Sequence, residues 1–169
     1  YEELAVFGTA CIIALPSESD DIIHLFPMTV GEYWIAEDYE NRVNTVFRRI
    51  SMTAEQMVEQ FGREKVSSGV RECLTDDRKR NQRFQVIHGI FPRDGYDPKK
   101  KDNRNFPWVS VYFEETYEND GRSSGSSTPL LEEGFSTFPG LCPRWEIHGG
   151  SVYGTSPGMK ALREVKGLQ

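Results

Sequence analysis

The stretch GEYWIAEDYENRVNTVFRRISMTAEQMVEQFG, residues 31–62, decides the fold of this chain. Two runs within it, 33–38 and 43–50, are rich in β-branched and aromatic residues, which is typical of strands. Residues 38–42 between them have the composition of a turn, in which Asn41 is best suited to a positive φ. This part of the stretch therefore predicts a β-hairpin.

The end of the same stretch carries a strong signal for the start of a helix. Thr53 can cap the backbone N–H of Gln56 while the Gln56 side chain reaches back, and Met52 can pack against Met57. Gly62 is suited to ending the helix in the left-handed conformation. A helix is therefore predicted directly after the hairpin.

Outward from this stretch, short apolar segments alternate with turn-forming residues. Strands are predicted at 10–15, 22–26, 84–91, 108–113 and 130–135. A weaker helix is predicted around 66–74, and Ser156 with Pro157 marks the start of a final helix. The predicted fold class is α+β, with an antiparallel β-meander or a small barrel-like sheet flanked by helices.

Both ends of the chain read as incomplete helices. Residues 1–7 resemble the last turns of a helix, with Leu4 and Phe7 on one face. The final helix carries Met159, Leu162 and Val165 on its buried stripe and reaches Gln169 without a clear terminator. We therefore expect residues 1–169 to be a single fragment of a larger protein, with the terminal helices truncated.

The composition narrows the class of protein. A hydrophobic content of 37% allows a real core, whereas a net charge of −6 and a pI near 5.2 argue against a dedicated nucleic-acid binder. The chain has no apolar run of the ~20 residues that a membrane span needs, so no membrane partner is expected. Cys11, Cys73 and Cys142 form no C-x-x-C pair and are expected to be reduced thiols in or beside the core, which suits a reducing cytoplasm.

The sequence gives no sign of catalytic chemistry. His24, His88 and His148 lie in or beside predicted strands, outside any metal-binding or nucleophile motif. The acidic pairs 114–115 and 132–133 are predicted to be solvated strand ends rather than paired general acids. We therefore predict no enzyme, no catalytic, cofactor-binding or metal-binding residues and no cofactor, and an enzyme is the third and weakest hypothesis.

Two predicted loops show no periodic pattern of apolar residues. The loop 92–107 carries a basic run, Lys99, Lys100 and Lys101 with Arg104, which is a candidate contact for nucleic-acid phosphates or simply a solvated loop. The first reading gives the alternative hypothesis, a small β-barrel nucleic-acid-binding module that uses the Lys99–Lys101 loop. The Ser- and Gly-rich tip 122–128 is predicted to be mobile and to tolerate shortening.

Several motifs resemble the bacteriophage head-to-tail connector (portal) protein family of the podovirus type. LAVFGTA (4–10) is similar to its helix-to-strand entry, and EYWIAED (32–38), RVNTVFRR (42–49) and MTAEQ (52–56) are similar to its central hairpin and helix. YGTSPGMKAL (153–162) resembles a later motif of the same family. Their order and spacing agree over nearly the whole chain.

This resemblance implies a structural function. In the family, subunits form a ring at one capsid vertex that docks the packaging motor, passes the genome and later holds the tail. The chain would be a wing-type segment of a portal subunit. Its partners would be other portal subunits, capsid, packaging-motor and tail proteins and the phage DNA, in the virion and, during assembly, in the host cytoplasm.

Overall fold

The computed structural model describes residues 2–17, 22–79, 81–100, 102–117, 123–125 and 128–167. It divides the chain into two compact units. The first contains residues 1–46 and 137–169, and the second contains residues 47–136.

Helices and strands alternate irregularly along the chain. The helices are α1 (Glu2–Phe7), α2 (Ala54–Phe61), α3 (Ser68–Thr75) and α4 (Pro157–Gly167). The strands are β1 (Cys11–Pro16), β2 (Ile23–Met28), β3 (Tyr33–Glu37), β4 (Val43–Thr53), β5 (Arg83–Pro92), β6 (Trp108–Tyr117), β7 (Ser123–Gly125), β8 (Leu131–Phe135) and β9 (Gly140–Leu141). Short 3-10 turns occur at Asp77–Lys79 and Asn103–Asn105.

The predicted α+β class is confirmed. Every strand pairing whose register the structure gives is antiparallel, and the sheets are open, which favours the predicted meander over the barrel-like alternative. In the described part of the chain, no helix is long and apolar enough to cross a membrane.

The predicted hairpin is present as β3 and β4, which are hydrogen-bonded neighbours. Its turn is closed by the Asp38 N–H, which donates to the Arg42 carbonyl at 2.9 Å. The Asp38 carboxylate also accepts the N–H groups of Glu40 and Arg42, at 2.9 and 3.0 Å. Asn41 has a φ of +60°, as its place in the turn predicts.

In the first unit, β1 lies between β2 and β9. The pairing with β9 places Ile12 opposite Leu141 and Ile13 opposite Gly140. The same register continues beyond β9, where a bridge joins Thr9 to Arg144. A late segment of the chain therefore lies beside an early one.

Two glycines allow the chain segments of this unit to cross in close contact. A Cβ on Gly154 would lie 2.2 Å from the Gly8 carbonyl oxygen, and a Cβ on Gly8 would lie 2.4 Å from the Gly154 oxygen. Gly8 also has a φ of +76°, which disfavours any side chain. The crossing is held by the Trp145 N–H on the Gly8 carbonyl and the Gly154 N–H on Thr9 Oγ1, both at 2.8 Å.

The predicted start of the final helix is confirmed. Ser156 precedes Pro157, the first residue of α4, and its Oγ accepts the Met159 N–H at 2.9 Å. The same hydroxyl donates to the Val6 carbonyl of α1 at 2.6 Å. Ser156 thus both caps α4 and joins it to α1.

In the second unit, β5 lies between β4 and β6, and both β7 and β8 pair with β6. Helices α2 and α3 cover one face of this sheet and close a core with it. The core residues are Met52, Ala54, Met57, Phe61, Val66, Val70, Cys73, Val86, Tyr112 and Leu130. Burying such side chains contributes roughly 1.5–3 kcal/mol for each large one.

The predicted capping box of α2 is confirmed. The Gln56 N–H donates to Thr53 Oγ1 at 3.4 Å, and the Thr53 N–H donates to Gln56 Oε1 at 2.9 Å. The predicted helix end at Gly62 is also present, but its conformation differs. Gly62 has a φ of +89° with an extended ψ of 148°, so the chain leaves the helix directly instead of turning in the left-handed conformation.

Residues 122, 126 and 127 of the tip 122–128 lie outside the described residues, so its predicted mobility stays a prediction. Its described part includes Ser123–Gly125, which form β7 and pair with the end of β6.

The glycine crossing gives the first testable prediction. Gly154→Ala places a methyl group against the Gly8 carbonyl, so the free energy of unfolding should fall by roughly 2–4 kcal/mol. Urea denaturation followed by circular dichroism measures the change. Gly149→Ala is the matched control, because its Cβ would have no atom within 4 Å. Equal stabilities of the two variants would contradict the crossing.

Candidate functional site

The second unit contains a buried histidine whose hydrogen bonds define its tautomer. Arg48 Nε donates to His88 Nδ1 at 2.9 Å, and His88 Nε2 lies 2.9 Å from Ser110 Oγ. Because an arginine is protonated at all ordinary pH values, Nδ1 must accept, and the proton of the neutral ring lies on Nε2. His88 therefore donates to Ser110.

This arrangement resembles a serine–histidine pair but cannot act as one. A serine nucleophile needs a histidine nitrogen that accepts its proton, and the accepting nitrogen of His88 is occupied by Arg48. The ring also stacks on Tyr112, with a centroid distance of 4.0 Å and an interplanar angle of 2°. The contacts of His88 are therefore those of a structural residue.

Burial lowers the pKa of His88 well below its usual range, and the charge of Arg48 lowers it further. His88 is 1% exposed, so a proton on Nδ1 would create a second cation next to Arg48 away from water. The ring is neutral near pH 7. The same burial raises the pKa of Tyr112.

The prediction that Glu114 and Glu115 are solvated strand ends was wrong. They are 5% and 7% exposed, because β6 continues to Tyr117 and carries both glutamates inside the sheet. Successive strand residues point to opposite faces, so the two carboxylates lie apart rather than as an acid pair.

Each of these glutamates has a specific structural contact. Glu114 accepts the Ser67 hydroxyl at 2.6 Å and the Ser67 N–H at 3.1 Å, and Ser67 caps α3. On the other face, Arg49 Nη2 lies 2.6 Å from Glu115 Oε1. The side chain of Glu115 is fully buried, whereas that of Arg49 is 46% exposed. Both glutamates tie neighbouring elements to β6.

The remaining histidines do not form a site. His24 lies against Phe26 on β2, with ring centroids 4.3 Å apart, and His148 lies 3.7 Å from a carboxylate oxygen of Glu146. Across the residues that the structure describes, no group of three or more His, Cys, Asp or Glu side chains could hold a metal ion.

The basic loop 92–107 belongs to the second unit and is held by its own acidic residues. Asp97 Oδ1 accepts the Lys99 N–H at 3.0 Å, and the Asp97 carbonyl accepts the Lys100 N–H at 3.1 Å. The Asp97 N–H in turn donates to Asn105 Oδ1 at 3.2 Å. The loop therefore has a defined internal conformation, although its sequence shows no periodicity.

The loop also packs against the sheet. A Cβ on Gly134 of β8 would lie 2.3 Å from the Asn103 carbonyl oxygen and 2.9 Å from Phe106 Cβ. At the base of the loop, the Arg93 N–H donates to the Pro107 carbonyl at 2.8 Å, and Arg93 Nη1 lies 2.8 Å from Glu132 Oε1. Gly134 thus allows the loop to lie on β8.

Three of the four residues that were predicted to contact nucleic acid are among the described residues, and Lys101 lies outside them. Lys99, Lys100 and Arg104 are all exposed. Five basic and three acidic residues in 92–107 give the loop a net charge of +2. Within the loop, the Asn105 side chain donates to Asp102 and lowers the pKa of that carboxyl. The loop is thus a weakly basic surface.

Two contacts of the first unit were missed by sequence reasoning. Cys11 and Cys142 lie with their sulfurs 2.8 Å apart, although 131 positions separate them. Arg144 forms an ion pair with Glu37 and donates to the carbonyls of Asn41 and Val152. These pairs depend on the register beyond β9, and no local pattern marks them.

Comparison with known proteins now identifies the family. The family model described as "Bacteriophage head to tail connecting protein" matches residues 1–169. The chain is 44% identical over 169 residues to the "Probable portal protein" of Bordetella phage BPP-1. It is 40% identical over 171 residues to the "Portal protein" of Salmonella phage epsilon15. In both cases all of this chain is covered.

The chain belongs to the bacteriophage head-to-tail connecting protein family. It spans 29% of the length of each of these two relatives. The resemblance drawn from the sequence motifs is thereby confirmed.

The neutral state of His88 predicts a specific pH dependence. Its pKa is lowered in the folded state, so below the unfolded value of about 6.5 the unfolded chain binds a proton that the folded chain excludes. Stability should therefore be fully present above pH 6.5 and should fall as the pH decreases. His88→Gln has no group that titrates at this position. Between pH 7.5 and 5.0 its free energy of unfolding should therefore fall by about 2 kcal/mol less than that of the wild type.

Urea titrations at the two pH values measure this difference. The control is His24→Gln, which makes the same replacement at an exposed histidine outside the contact of Arg48 with His88. If His88→Gln and the wild type lost the same stability, the neutral buried ring would be contradicted.

The basic loop predicts weak binding to DNA. With a net charge of −6 for the chain and +2 for the loop, duplex DNA should bind with a Kd above about 1 µM at roughly 150 mM salt. Fluorescence anisotropy with a labelled duplex measures this value. Tight, salt-sensitive binding that is lost when Lys99, Lys100, Lys101 and Arg104 are all changed to Ala would instead support the nucleic-acid-binding alternative.

Proposed function

We propose that this chain is a wing-type segment of a portal subunit, and that its function in the full-length protein is structural. The observation that carries this proposal is the match of the whole chain to portal proteins at 44% and 40% identity. The full-length subunit would form a ring with other copies, through which phage DNA is packaged and ejected. Capsid, packaging motor and tail proteins would attach to that ring in the virion.

The contacts of the family motifs support a structural role. Gly8 and Gly154, which lie in two of these motifs, allow the backbone crossing of the first unit. Thr53 and Gln56, in a third motif, form the capping box of α2. Glu37, in the hairpin motif, binds Arg144. Each of these residues stabilises the fold, and none of them is placed for chemistry.

The terminal helices offer a surface for assembly. Helix α4 packs against α1, but the prediction that its apolar stripe is buried was wrong. Leu162 and Val165 are 57% and 54% exposed, and Met159 is also exposed. Val6 and Phe7 of α1 are exposed as well. Exposed apolar side chains on one helix face are typical of interaction surfaces. We propose that this face is covered by another part of the portal assembly, which agrees with the expectation that the chain is a piece of a larger subunit.

Assembly of the full-length protein tests the proposed function. Size-exclusion chromatography with light scattering and electron microscopy should show a closed ring with a central opening. A full-length protein that stays monomeric at all concentrations would contradict the portal role.

Substitutions on α4 test the surface separately. Leu162→Gln with Val165→Gln should raise the protein concentration needed for ring assembly by about tenfold or more, since burying one such side chain is worth roughly 1.5–3 kcal/mol. Glu164→Gln, on the opposite side of the same helix, is the control and should assemble like the wild type. Normal assembly of the first double variant would exclude this face from the interface and leave the portal role intact.

A further inference from the structure

Two cysteines of the first unit lie directly opposite each other on neighbouring strand segments. The register that pairs Ile12 with Leu141 continues outward to place Cys11 opposite Cys142. Their Sγ atoms are 2.8 Å apart. Cys11 is 1% exposed, whereas Cys142 is partly exposed.

The hydrogen bonds around them show which kind of strand pair they form. The Ala10 N–H donates to the Pro143 carbonyl at 3.1 Å, and the Ala14 N–H donates to the Pro139 carbonyl at 3.0 Å. Hydrogen-bonded pairs in an antiparallel ladder recur at every second residue, so positions 10, 12 and 14 are of that type. Cys11 and Cys142 are therefore a non-hydrogen-bonded pair, in which side chains approach most closely and the Cα distance is about 4.5 Å.

This geometry suits a disulfide. A Cα distance of about 4.5 Å lies within the range that disulfides adopt, and the sulfurs need to move by less than about 1 Å to reach bonding distance. The ladder on both sides of the pair fixes the two backbones. The bond would therefore form with little movement of the main chain.

Cys142 is the more reactive of the two thiols. The hydrogen bond from Cys11 lowers the pKa of Cys142, and the nearby charge of Arg144 lowers it further. A larger thiolate fraction favours attack on a disulfide. Cys73, in contrast, lies buried in the core of the second unit, with its Sγ 3.4 Å from Gln82 Oε1.

We propose that Cys11 and Cys142 form a redox-active dithiol, which closes to a cross-strand disulfide when it meets a small-molecule disulfide such as oxidised glutathione and stays open in a reducing medium. The Cys142 thiolate attacks one sulfur of oxidised glutathione, and one glutathione leaves as its thiolate. Cys11, on losing its proton, then attacks the Cys142 sulfur of the mixed disulfide and releases the second glutathione. The two cysteines lose two protons and two electrons, and oxidised glutathione is reduced to two molecules of glutathione.

The closed bond would tie two distant parts of the chain together. It would join β1 to the segment after β9 and close a loop of about 130 residues, which restricts the unfolded chain strongly. The proposal thus assigns to this unit a covalent staple that depends on the medium.

The test uses the full-length protein in glutathione buffers of graded redox potential. After acid quenching, alkylation of the remaining thiols and digestion, mass spectrometry should find a peptide pair linked through Cys11 and Cys142, lighter by two hydrogens than the reduced pair. The fraction of this pair should rise with oxidation, while Cys73 stays alkylated as a thiol. The melting temperature of the oxidised protein should exceed that of the reduced protein by roughly 4 °C.

Two controls make the result decisive. Cys142→Ser should abolish both the linked pair and the redox dependence of the melting temperature, whereas Cys73→Ser should keep both. The mass-spectrometric search for the linked peptide pair in the wild-type protein tests the proposal even if a variant does not fold. Thiols that stay alkylated in the most oxidising buffer, or a glutathione that remains on Cys142, would overturn the proposal.

Discussion

The first unit depends on the close crossing of two backbone segments at Gly8 and Gly154. Only glycine fits at either position, because a Cβ on one residue would lie closer to the carbonyl oxygen of the other than a normal carbon contact allows. The crossing places the segment before Gly154 alongside β1. As a result, Arg144 reaches Glu37, Cys142 meets Cys11, and Ser156 joins the start of α4 to α1. These contacts join residues more than a hundred positions apart.

The second unit depends on β6, whose two faces carry different polar contacts. On one face, Ser110 and Tyr112 hold His88, and Glu114 binds the cap of α3. On the other, Glu115 pairs with Arg49. Burying such groups is costly unless each finds a partner, so they favour one register of the sheet over its alternatives. Their chemistry is used for specificity of the fold, which fits a protein family with a structural role.

A structural segment of this kind needs rigidity and surfaces rather than a cleft with reactive groups. The described polar networks provide rigidity within each unit. The exposed apolar stripe of α4 and the ordered basic loop provide surfaces of opposite character. The dithiol that we propose for the first unit would add a covalent constraint whose state is set by the surrounding medium rather than by the fold.

The sequence by itself determined the local elements and the family. The hairpin turn at Asn41, the capping box of Thr53 and Gln56, and the start of α4 at Ser156 could all be predicted, because the residues that form them lie within a few positions of one another. The motifs could likewise be matched to the family, because they are short and ordered along the chain. The length of β6 was underestimated, so the burial of Glu114 and Glu115 was missed: a polar residue inside a strand looks like a strand end when its partner is unknown. Only the tertiary structure decided which residues meet at a distance, including Arg48 with His88, Arg144 with Glu37 and Cys11 with Cys142. Such pairs are set by strand register and chain crossing, which depend on the packing of the whole unit and leave no local pattern in the sequence.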